Sequence, residues 1–83
     1  MIESKEYVFG DFLKKAQAFL SEPNFVTGIE HDDASVTLKR YVLTEMRDEQ
    51  LGSALGRVQK SIRNLDVAAV SEVVTAVEDR LSD

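Results

Sequence analysis

These 83 residues contain no cysteine, and that absence narrows what they can fold into. A chain of this length buries only about 60–65% of its unfolded surface. With no disulfide and no zinc–thiolate site to staple it, order must come from packed helices or from a partner that completes the core. A single domain spanning 1–83 is expected, since domains rarely fall below roughly 50 residues. The absence of cysteine also fits a reducing compartment. The opening Met1-Ile2-Glu3-Ser4-Lys5-Glu6 lacks the apolar stretch of a secretory signal. No run approaches the ~18–20 apolar residues that cross a bilayer. A cytoplasmic protein without membrane contact is the expectation.

Pro23 is the clearest punctuation mark, because it disfavours helix just before it. Ahead of it, Phe9, Phe12, Leu13, Ala16, Phe19 and Leu20 recur at helical spacing and predict an amphipathic helix ending near Ser21-Glu22. Either Ser4 caps that helix, or Asp11 caps a later start. Beyond Pro23 the composition changes. Phe25, Val26, Thr27 and Ile29 read as a strand, Glu30-His31-Asp32-Asp33-Ala34 as a turn, and Ser35 to Thr44 as a second strand. Val36 and Leu38 share one parity while Tyr41 and Leu43 share the other, which calls for a bulge near Lys39-Arg40 or for partial cover on both faces.

From Leu51 onward the pattern is helical again. Leu51, Leu55, Val58, Ile62 and Leu65 form one stripe, and Val67, Val70, Val73, Val74, Val77 and Leu81 form another. Asn64 can close the first of these helices in a left-handed conformation and Asp66 can cap the next. One bent helix over 45–82 is the alternative. The predicted fold class is thus α+β, ordered helix, two-stranded antiparallel hairpin, then an antiparallel pair of helices. Part of that order, helix–hairpin–helix, resembles in outline small phage head–tail joining proteins, without a residue-level match.

Fifteen Asp and Glu against ten Lys and Arg leave a formal charge of −5. This balance disfavours direct nucleic-acid binding, which asks for a basic face, and suits either a basic protein partner or plain solubility. Catalysis is not expected. The sole histidine, His31, falls in the predicted turn beside Glu30, Asp32 and Asp33. Such a turn could hold a metal, but without further spaced ligands a polar turn is the simpler reading. No catalytic residue, metal or cofactor is expected.

Three features remain as candidate contacts. Arg57, Lys60 and Arg63, with Arg47 earlier, put cations on the solvent side of a helix, where they either grip an anion or favour the helix C-terminus. Gly52 and Gly56 each cost about 1 kcal/mol in a helix interior. They are compensated either by close packing on the last helix, with its Ala68, Ala69 and Ala76, or by a docking groove or homodimer contact. Finally, the expected outer strand, with Val36, Leu38, Lys39 and Arg40, presents an unpaired edge that can take a twin or a partner strand. The functional expectation is a small acidic non-enzymatic protein binding a protein partner as adaptor, regulator or inhibitor, of the size common among phage- and plasmid-borne regulators. The alternative is a self-assembling structural subunit of phage-assembly type, and a weaker one a nucleic-acid mimic.

Overall fold

A computed structural model describes residues 4–82, so the part of the N-terminal reading that rests on residues 1–3 lies outside the described residues. Four α-helices follow one another: α1 (Lys5–Ser21), α2 (Phe25–Thr44), α3 (Glu49–Arg63) and α4 (Val67–Ser82). Helix α1 packs on α2 and α4, and α3 packs on α2 and α4. The four therefore make a closed bundle in which α1 and α3 are diagonal, as are α2 and α4. Its extents are 31 × 24 × 19 Å.

Helix α1 starts where Ser4 accepts a hydrogen bond from the Tyr7 N–H at 3.1 Å, the earlier of the two starts considered. It buries Val8, Phe9, Phe12, Ala16 and Phe19. Helices α3 and α4 are separate. Asp48 caps α3 by accepting from the Leu51 N–H at 3.0 Å, and Asp66 caps α4 by accepting from Ala69 at 3.2 Å. Between them Leu65 donates to the Ile62 carbonyl and Asp66 to the Ser61 carbonyl, the paired bonds of a Schellman turn. The left-handed residue of that turn is Leu65, at φ 56°, and not Asn64, which sits at φ −91°.

The α+β expectation is overturned: residues 25–44 form one helix, and no strand occurs among the described residues. There is no hairpin, no bulge at Lys39-Arg40 and no open strand edge, and the likeness in outline to phage joining proteins goes with them. Three things decide for helix. Asn24, directly after Pro23, accepts from the Thr27 N–H at 3.0 Å while Thr27 Oγ1 accepts from the Asn24 N–H at 3.2 Å, a complete capping box. The buried positions Gly28, His31, Ser35, Leu38 and Val42 then recur every three or four residues. Third, the hydroxyls of Ser35, Thr37 and Thr44 donate to carbonyls four residues back, so polar groups that often favour extended chain are absorbed within the helix.

His31 is consequently not a turn residue. It is fully buried, its ring 4.8 Å from that of Phe12 and 5.7 Å from that of Phe19. Small or slight side chains on α2 leave the bulk to its neighbours: a Cβ on Gly28 would lie 3.4 Å from Ile62 and 3.6 Å from Phe19.

Candidate functional site: the seam between α2 and α3

The helical rotation of α2 divides it into sectors of about 100° per residue. Gly28, His31, Ser35, Leu38 and Val42 point to the core. The residues one step further round, Ile29, Asp32, Val36, Lys39 and Leu43, with Phe25 before them, form a second stripe at steps of 4, 3, 4, 3 and 4. This stripe looks onto α3. Phe25, Ile29, Val36 and Leu43 are all exposed, Phe25 at 80% of its surface, and Val26 beside it is 67% exposed. Over 18 residues at about 1.5 Å each, the stripe runs roughly 27 Å.

Two concavities lie along it. At the start of α2 a groove of about 380 Å³ is lined by Phe25, Gly28 and Ile29 on one side and by Ile62, Arg63 and Leu65 on the other, with Asn24 and Asp32 at its margin. Asp32 Oδ1 is buried there without a hydrogen-bond partner among the described residues. Toward the other end, a shallower depression of about 800 Å³ is lined by Lys39, Leu43, Glu49, Gly52, Ser53, Gly56, Arg57 and Lys60. Because α2 and α3 run antiparallel, both belong to one seam that is apolar at one end and cationic at the other.

The seam gathers most of the candidates singled out in the sequence. Lys39, Gly52, Gly56, Arg57, Lys60 and Arg63 line its two concavities, and Val36 falls between them by its helical spacing. Leu38 does not: it is 0% exposed, a core residue and not a contact. Arg40 is exposed but turned further outward. Arg47 lies beyond the end of α2, at φ 54°, where with Thr44 it lines a further open depression that shares Leu43 and Glu49 with the cationic one. The two glycines are compensated by α2, not by the alanines of α4. A Cβ on Gly52 would come within 2.5 Å of Leu43, and one on Gly56 within 3.2 Å of Lys39 Nζ. Their missing side chains let Leu43 and Lys39 lie across α3.

Phe25, Ile29 and Leu65 are functional candidates that sequence reasoning missed. Read as the first strand of a hairpin, the segment of Phe25 and Ile29 offers no candidate contact, since the edge singled out is the second strand. The capping box Asn24–Thr27 after Pro23 was the available signal. Once that segment is a helix, the steps 25, 29, 36 and 43 stand out as an apolar stripe outside the core. Leu65 carries a further mark. A left-handed non-glycine residue costs about 1 kcal/mol relative to glycine, yet this position holds a leucine, 47% exposed, beside the groove.

Other surfaces offer less. Asp11, Lys15, Glu30, Asp33, Ala34 and Thr37 line a mixed-charge depression between α1 and α2. No group of three or more His, Asp or Glu among the described residues is placed to hold a metal ion. Burial pushes the pKa of His31 down to about 4, so its imidazole is neutral at pH 7, enclosed beside the rings of Phe12 and Phe19. No helix among the described residues is long and apolar enough to cross a membrane. No known protein family matches the chain, and neither a curated protein nor a solved structure matches it.

Proposed function

We propose that this protein is a non-enzymatic binding module, an adaptor, regulator or inhibitor, which engages one protein partner along the α2–α3 seam. The observation that carries the reading is the grouping of Phe25, Ile29 and Leu65, each 47% exposed or more, round a single groove. Scattered exposed apolar residues are ordinary, but a contiguous patch beside a concavity marks an interaction surface. Covering a phenylalanine this exposed is worth roughly 1.5–3 kcal/mol, which makes Phe25 the natural anchor. A non-enzymatic role is supported by the enclosure of the chain's one histidine. Cytoplasmic action fits the cysteine-free composition.

The test is affinity capture from an extract of the source organism with the wild-type protein and with Phe25→Ser/Ile29→Ser. Both side chains face outward, so the double variant keeps its fold by circular dichroism. The reading expects a dominant captured protein that the variant loses. Capture undiminished by the variant would contradict it. Self-assembly is the second reading, since the same apolar end can meet its twin across a two-fold axis. It requires a mass above the monomer that falls to the monomer in Phe25→Ser/Ile29→Ser.

A further inference from the structure

The charge along the seam narrows the partner. Four of the ten basic residues, Lys39, Arg57, Lys60 and Arg63, line its two concavities, against only Asp32 and Glu49 of the fifteen acidic ones. A chain of net charge −5 thus turns a locally cationic, partly apolar surface outward. Resting on the seam as the docking face, we propose that its occupant is an acidic amphipathic helix of a partner protein. Apolar residues of that helix would meet Phe25, Ile29, Val36 and Leu43, and its carboxylates would face Lys39, Arg57 and Lys60.

Three arguments select this occupant. The first is shape. The exposed apolar positions on α2 are spread along roughly 27 Å of helix axis, the length of a ligand helix of about 18 residues, and helix-in-groove recognition lays one apolar face of such a ligand along an apolar strip. The second is the floor of the cationic half. Gly56 carries no side chain, and what lies nearest above it is the flexible end of Lys39, while Leu43 already fills the space over Gly52. A helix can approach closely there and displace the lysine head without breaking backbone contacts. The third is electrostatic. Cations beside an apolar strip reward a ligand that carries carboxylates next to apolar residues, and they penalise one that carries lysines.

A nucleic acid fits less well. Duplex binding draws its affinity from neutralising many phosphates, commonly 6–10 in a tight complex. The seam offers fewer cations, with Glu49 among them, in a protein whose overall field repels polyanions. A second copy fits less well too, because it would bring the same cations to the interface.

The test uses three probes and fluorescence anisotropy at low salt. One is a helical peptide of about 18 residues with leucines at i, i+4, i+7 and i+11 and glutamates flanking them. The second is the same peptide with lysine for every glutamate. The third is a duplex oligonucleotide. The proposal expects the glutamate peptide to bind at least roughly tenfold tighter than the lysine peptide, a few exposed ion pairs' worth, and to outbind the oligonucleotide. In Lys39→Glu/Arg57→Glu/Lys60→Glu, which alters only exposed or half-buried side chains, the preference between the peptides reverses. Equal binding of both peptides that is still lost in Phe25→Ser/Ile29→Ser would keep the seam as a docking face and overturn the acidic occupant. Preference for the oligonucleotide, or no binding of the glutamate peptide at millimolar concentration, would overturn it as well.

Discussion

Leu43 of α2 lies across Gly52 of α3, so near that a Cβ on the glycine would stand 2.5 Å from Leu43 Cδ2 and 2.8 Å from its Cγ. The clash involves the branch point of the leucine and not merely its tip, so a rotamer change alone does not relieve it. Gly52→Ala is expected to lose stability by about 1 kcal/mol, overpacking outweighing the helix propensity it gains. Gly10→Ala is the control, because nothing lies within 4 Å of its added carbon. It should gain about 0.5–1 kcal/mol. Urea titrations of the two variants against wild type check both signs, and Leu43→Ala should rescue Gly52→Ala.

Leu65 separates stability from binding. Its φ of 56° is a conformation in which glycine is favoured by about 1 kcal/mol. Leu65→Gly should therefore raise the midpoint of thermal unfolding while weakening partner capture, since an apolar wall of the groove is removed. A variant that gains stability and binds undiminished would free Leu65 of any part in the interface.

His31 makes the fold acid-sensitive. Its pKa falls from 6.5 to about 4 on folding through burial, so the unfolded chain takes up the proton first as pH drops. Stability is unaffected above about pH 6.5 and declines between 6.5 and 4, by on the order of 3 kcal/mol at most. His31→Leu preserves volume and contact with Phe12 and Phe19 and leaves no buried ring nitrogen unpartnered. Its unfolding free energy should be flat across that window, apart from carboxylate effects shared with wild type, and at pH 7 it should equal or exceed that of wild type. Chemical denaturation at a series of pH values provides the comparison.

Asp48 serves two helices. Its carboxylate accepts from the Leu51 N–H at the start of α3 and from Arg80 Nε of α4 at 2.8 Å. These bonds, the Leu51 N–H foremost and then Arg80, hold its pKa below the usual carboxylate value. The stability it gives is present above that usual value and is lost as pH falls through the lowered one. Asp48→Ala should cost about 1–2 kcal/mol, mostly as a lost cap. Arg80→Ala should cost less, about 0.5 kcal/mol, because the pair is partly exposed. A double-mutant cycle measures the coupling, expected below about 1 kcal/mol.

What the sequence disclosed follows from which side chains carry the core. In α1, α3 and α4 the buried stripes are phenylalanines, leucines, isoleucine and valines, so the period of 3.6 is visible without a structure. In α2 the buried stripe includes Gly28, His31, Ala34 and Ser35. The phenylalanines of α1 and Ile62 of α3 fill that space, so the first half of α2 has no need of bulk on its inner side, and large core residues come only later, at Leu38 and Val42. Four of its large residues, Phe25, Val26, Ile29 and Val36, face outward, and three of them are β-branched. A reading by propensity and alternation takes such a segment for strand. The misread segment is also the one that carries the candidate site, because apolar residues withheld from the core are what make both the false strand and the seam. Gly52, Gly56, Arg57, Lys60 and Arg63 could be singled out from spacing alone, whereas Lys39 enters the sequence reading only on a strand edge that helix α2 replaces. Their convergence with Phe25, Ile29 and Leu65 required the antiparallel pairing of α2 with α3.

The seam is tested most directly by where a bound partner touches the protein. A photo-crosslinking residue is placed singly at Val36 or Leu43 on the seam, or at Gln17 or Glu30 elsewhere on the bundle, all exposed positions. The captured partner is expected to become covalently attached from Val36 and Leu43 and not from Gln17 or Glu30. Attachment from Gln17 or Glu30, with none from the seam, would contradict the account.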